Sequence, residues 1–82
     1  VPRYFFDTHD GAFHRDEDGT ECADLDAVRR EAMIFLPEIA RWEIPKDGNQ
    51  RAFTVLVRDE SGAIVYTGTL TYAGLTLNNE AT

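Results

Sequence analysis

The sequence predicts an α+β fold, an antiparallel sheet of three to four strands with one kinked helix packed on one face, an open-faced sandwich. Three observations carry this. Residues 51–72 alternate apolar and polar about a turn signal, as a β-hairpin does. Residues 25–42 repeat apolar side chains every three or four positions, as an amphipathic helix does. An aromatic-rich run at 3–9 supplies a further strand, and 82 residues leave no room for a second core.

Taken in order, the first strand spans Arg3 to His9 and stops at the turn pair Asp10-Gly11. Its alternation sets Tyr4, Phe6 and Thr8 against Arg3, Phe5, Asp7 and His9 on the opposite face. Asp18-Gly19 marks another turn, so the 12–23 region has space for one or two very short strands paired with the first. Asp24 is a suitable N-cap, and Asp26 suits the positive end of the helix dipole. Leu25, Val28, Ala32, Phe35, Ile39 and Trp42 then form one stripe, widened by Leu36. Pro37 removes a helical hydrogen bond, but it falls on the outer face and the stripe keeps its phase across it. One helix is expected, bent at Pro37 and ending near Glu43 before Ile44-Pro45.

Lys46 to Gln50 reads as a polar loop. From Arg51 to Arg58, Phe53, Val55 and Val57 occupy one face and Thr54, Leu56 and Arg58 the other. Asp59-Glu60-Ser61-Gly62 is a type I turn with glycine where positive φ is needed. The return strand, Ala63 to Tyr72, presents Ile64, Tyr66, Gly68, Leu70 and Tyr72 on one face and Val65, Thr67, Thr69 and Thr71 on the other. Leu75 and Leu77 can extend it, and Asn78 to Thr82 should fray. The expected core is Tyr4, Phe6, Val28, Ala32, Phe35, Leu36, Ile39, Phe53, Val55, Val57, Ile64, Tyr66 and Leu70.

The net charge of −7 is concentrated: residues 7–26 hold eight acids against Arg15 alone. Such a block reads first as a solvated loop, and it disfavours nucleic-acid binding, which needs a cationic footprint. The single cysteine, Cys22, excludes an internal disulfide framework. No apolar run approaches the ~20 residues that span a bilayer, and the opening is too short in apolar residues for a signal peptide, so no membrane association is expected and a cytoplasmic location is.

The opening Pro2-Arg3-Tyr4-Phe5-Phe6-Asp7, then His9-Asp10-Gly11 and the acidic Asp16-Glu17-Asp18-Gly19 turn, resembles a family of short uncharacterised alphaproteobacterial proteins. Arg29-Arg30-Glu31-Ala32, Glu38-Ile39-Ala40-Arg41 and Val57-Arg58-Asp59-Glu60 followed by Gly62 match it as well. The resemblance covers nearly the whole chain and implies a cytoplasmic bacterial protein, with no catalytic residues to carry over. Pro37 and Trp42 depart from its pattern of an alanine and an acidic residue at those positions.

Among possible sites, His9, Asp10, His14, Asp16 and Asp18 offer metal donors, but zinc spacing is absent and Leu25 stands where a calcium loop closes with glutamate. Metal is therefore an alternative, and no cofactor is expected. Acidic neighbours raise the Cys22 thiol pKa, Ser61 belongs to a turn, and no glycine-rich phosphate loop occurs; an enzyme is not expected. The leading expectation is an interaction module that forms a homodimer, through the sheet face or through the edge of the Ala63–Tyr72 strand, which neither lysine nor proline blunts, or binds a protein partner. Phe5, Leu56 and Val65, framed by Arg3, Arg58 and threonines, would form a contact patch on the uncovered sheet face. The outer helix residues Met33, Ile34 and Pro37 are a smaller candidate. Single-stranded nucleic acid on the same face, stacked on Phe5 with phosphates on Arg3 and Arg58, is the competing alternative.

Overall fold

The computed structural model describes residues 1–43 and 50–77. Five strands and one helix follow in the order β1 (Arg3–His9), β2 (Phe13–His14), β3 (Thr20–Glu21), α1 (Leu25–Glu43), β4 (Gln50–Arg58) and β5 (Ile64–Ala73). The sheet is antiparallel, ordered β2-β1-β4-β5, with β3 pairing β1 as well. The open-faced α+β architecture therefore stands, with both short strands formed in the 12–23 region. They sit on the same outer edge of β1, β2 against Thr8 and His9 and β3 against Arg3 and Tyr4.

Helix α1 starts where a side chain can satisfy its first free amides: Asp24 Oδ1 accepts from the Ala27 N–H at 2.8 Å. It then runs without interruption through Pro37, whose ring faces solvent. Its fully buried residues are Val28, Ala32, Leu36 and Ala40, a narrow i, i+4 line of mostly small side chains. Phe35 and Ile39 flank that line half-buried, whereas Leu25 and Trp42, expected on the stripe, are 53% and 63% exposed. They lie at the two ends of the helix, beyond the buried line from Val28 to Ala40. Because Pro37 costs the helix a bond without filling the core, Pro37→Ala should leave the melting temperature unchanged or raise it. Thermal unfolding by circular dichroism measures this.

The helix packs on β4 and β5. Beneath it, Phe53, Val55 and Val57 are essentially inaccessible, joined by Phe6 and Cys22. Cys22, held where its N–H donates to Pro2 O at 3.0 Å, thus belongs to the core, as does Ala40. Leu36 meets β5 at Gly68, where a methyl would lie 3.6 Å from Leu36 Cδ1, and Phe35 stands edge-on to Phe6 with ring centres 6.3 Å apart.

The β4–β5 turn forms as expected: Gly62 has φ +93° and donates to Asp59 O, while Asp59 Oδ1 accepts from Ser61 and Ala63. Just beyond it the register slips. Val57 pairs with Tyr66 but Arg58 with Ile64, leaving Val65 as the extra residue of a β-bulge. The slip corrects two expectations. Ile64 leaves the core face and is 60% exposed, while Val65, expected on the open face, is half-buried against the core cluster. Leu75 and Leu77 do not extend β5, which ends at Ala73, and both are largely exposed. The expectations for Ile44-Pro45, for the loop up to Asn49 and for Asn78 to Thr82 concern positions outside the described residues.

Candidate functional site

On the sheet face opposite the helix, β1 and β4 place Phe5 beside Arg58 and Asp7 beside Leu56. Asp7 is 4% exposed, a charge that burial alone would force to neutralise. Arg58 prevents this: Nε donates to Asp7 Oδ2 at 2.7 Å and Nη2 to Oδ1 at 3.1 Å, a two-pronged pair. Burial raises the Asp7 pKa, but the Arg58 bonds and the Asp16 N–H outweigh it and hold the carboxyl below its ordinary value. Arg58 also donates to Asp16 O at 2.8 Å, and its guanidinium lies 4.8 Å from the Phe5 ring centre.

The acidic segment is a structured edge rather than a solvated loop throughout. Asp16 N donates to Asp7 Oδ1 at 2.9 Å, while the Asp16 carboxylate accepts from the N–H groups of Phe6, Asp18 and Gly19. Burial raises the Asp16 pKa too, and those three amide bonds bring it below the ordinary value. Gly19 makes the return possible. Its φ is +76°, and a methyl there would fall 2.7 Å from Arg3 Cγ and 2.9 Å from Phe5 Cε2. With β2 and β3 at its ends and Asp16 bonded at Phe6, the outer edge of β1 is closed along its length.

The residues expected to form a contact patch are thereby placed individually. Phe5 lies half-buried under Arg58 and against Gly19, and Arg3 donates to Asp18 O and pairs with Glu21 at 3.5 Å. Leu56 is half-buried, and Val65 sits in the bulge. None of the three apolar members stands among the exposed large hydrophobics. The metal-donor candidates disperse likewise: His9 and His14 are exposed, His14 Nε2 lies 3.5 Å from Asp10 Oδ1, and Asp16 is occupied by amides while Asp18 faces solvent. No group of three or more metal-ligating side chains forms among the described residues.

Two features remain open. One is β5, the far edge of the sheet, which pairs only with β4 among the described residues. The other is a cavity of about 300 Å³ between α1 and the 14–20 segment, lined by Phe6, Thr8, Arg15, Glu31 and Phe35 among others. Sequence reasoning did not reveal the cavity, because its walls come from three separate segments with no shared motif.

Fold and surfaces together define a small α+β domain with one sheet edge closed and the other, at β5, without a further strand among the described residues. The chain belongs to a domain family of unknown function, DUF6894, which it matches over residues 3–71. No curated protein and no solved structure matches it. Among the described residues no helix is long and apolar enough to cross a membrane.

Proposed function

We propose that this domain is an interaction module whose primary contact is with a second copy of itself, made along the free edge of β5. The observation that carries the reading is the difference between the two edges. Natural sheets protect edges with charges, prolines, bulges or covering segments. Here β1 is covered by β2, β3 and Asp16, whereas β5 offers ten residues with neither proline nor charge, and its one bulge, at Val65, lies at the turn end and leaves Tyr66 to Ala73 in regular register. The uncharged stretch of the sequence extends over residues 61–79, so two chains of net −7 can meet at β5 with their acidic segments at the far ends of the joined sheet.

Pairing β5 antiparallel to its copy about a two-fold axis perpendicular to the sheet keeps both helices on one side. The helix then contributes as well. Phe35 and Glu31 face the β1 side, so Met33, about 200° round the axis from Phe35 at 100° per residue, lies on the flank toward β5. Met33 is 55% exposed, and Pro37 follows it one turn later. Threonines at 67, 69 and 71 suit extended pairing.

Sedimentation at tens of micromolar protein should give a dimer. Thr69→Lys with Thr71→Lys, both exposed, should shift it to monomer with circular dichroism unchanged. A 9.3 kDa monomer for the parent chain at high concentration refutes the proposal. The single-stranded nucleic-acid alternative has no observation in its favour, since Arg3, Phe5 and Arg58 are all engaged within the fold. A cytoplasmic, alphaproteobacterial setting rests on the resemblance of the opening motif, and the absence of catalysis on the lack of a recognisable nucleophile or phosphate loop.

A further inference from the structure

We infer that the cavity between α1 and the 14–20 segment is a binding site for a small zwitterion with an apolar body, a molecule of amino-acid size. The inference is independent of self-association at β5.

The cavity combines an apolar inner wall with two opposite charges, Arg15 and Glu31, neither held in an ion pair among the described residues, although the Arg15 charge also acts on Asp7 from a distance. Phe6 and Phe35, edge to face, supply the wall. Arg15 lines the same space, and it is the one arginine among the described residues without an ion pair: Arg3, Arg29, Arg30, Arg41, Arg51 and Arg58 each have an acidic partner. That is unexpected in the most acidic part of the chain, where carboxylates surround it in sequence. From the helix side Glu31 also lines the cavity, and its carboxylate makes no ion pair or hydrogen bond with any described residue. Although both line the cavity, Arg15 and Glu31 do not pair with each other.

Asp16 lines the cavity too, but three backbone amides occupy its carboxylate and leave Glu31 the acceptor with spare capacity. Hence a ligand carboxylate fits Arg15, whose planar fork matches it, and a ligand ammonium fits Glu31. An aromatic or large aliphatic side chain lies against Phe6 and Phe35. About 300 Å³ is the lower end of small-molecule pockets and admits one such molecule. Thr8 and Thr20 add hydroxyls at the wall. Both charged groups stand on exposed residues, so affinity in the micromolar to millimolar range is expected.

Amide chemical-shift titration tests the site with three probes: L-phenylalanine, phenylacetate, which lacks the ammonium, and phenethylamine, which lacks the carboxylate. L-Phenylalanine should cause saturable shifts at residues 14–20 and 31–35 and bind tighter than either fragment. Arg15→Gln should weaken L-phenylalanine and phenylacetate about five- to tenfold and leave phenethylamine unchanged. Glu31→Gln should do the reverse, weakening L-phenylalanine and phenethylamine only. Both residues are exposed, so neither change threatens the fold. Absence of saturable shifts with all three probes at millimolar concentration overturns the inference. So does equal weakening of both fragments by either variant, which would mean that the charges do not select the two ends of the ligand.

Discussion

Arg58→Met should destabilise the domain by about 3–5 kcal/mol, the cost of leaving a buried charge without its partner. Asp7 would stay in place, 4% exposed, with only the Asp16 N–H donating to it. For 82 residues total stability is on the order of 4–12 kcal/mol, so the variant should lose a large share of it. Chemical denaturation at neutral pH measures the loss. Acid gives the same result a sign. In the parent chain Asp7 titrates below its unfolded value of 3.8. It therefore contributes stability above that value, lost as pH falls through the folded pKa. With Arg58 gone, burial is opposed only by the Asp16 N–H and the Arg15 charge, so the Asp7 pKa rises relative to the parent. The gap between parent and variant should then narrow on acidification, since a protonated Asp7 needs no cation. A gap that is constant from pH 7 to the acid limit refutes this account.

Asp16→Ala should cost about 2–4 kcal/mol, because it strips an acceptor from three N–H groups, one of them in the sheet edge at Phe6. Its second effect is on assembly. The middle of β1 would lose the only side chain that bonds its outer edge there, and the variant should form species larger than a dimer, with both edges of the sheet available. Light scattering of the folded variant distinguishes this from simple unfolding. A variant that is less stable yet keeps the parent's oligomeric state would show that β2 and β3 close the edge without Asp16.

Much of this architecture was legible beforehand because it rests on local rules. The Asp24 cap, the Asp59–Gly62 turn and the alternation of β4 each depend on neighbours within a few positions. Ile64 and Val65 were misplaced because alternation assumes an unbroken register, and a bulge is decided by the partner strand. Trp42 was misplaced because periodicity fixes direction around an axis but not how far the sheet extends under it. Alternation correctly put Asp7 and Arg58 on one face, yet the charges of residues 7–26 were counted together. A net charge does not show that most of these acids have partners within the fold: Asp7 has Arg58, Asp16 has backbone amides, Asp24 caps the helix, and Asp10, Glu21 and Asp26 pair with arginines.

The Asp7–Arg58 pair joins positions 51 residues apart, with β2, β3 and the helix between them. The β4–β5 hairpin and α1 close over short distances and can form early, whereas β1 must wait for a long loop to close before its buried charge finds its cation. During synthesis β1 leaves the ribosome first yet pairs with β4 only after Arg58 has been added. Arg58→Met should accordingly speed unfolding more than it slows refolding.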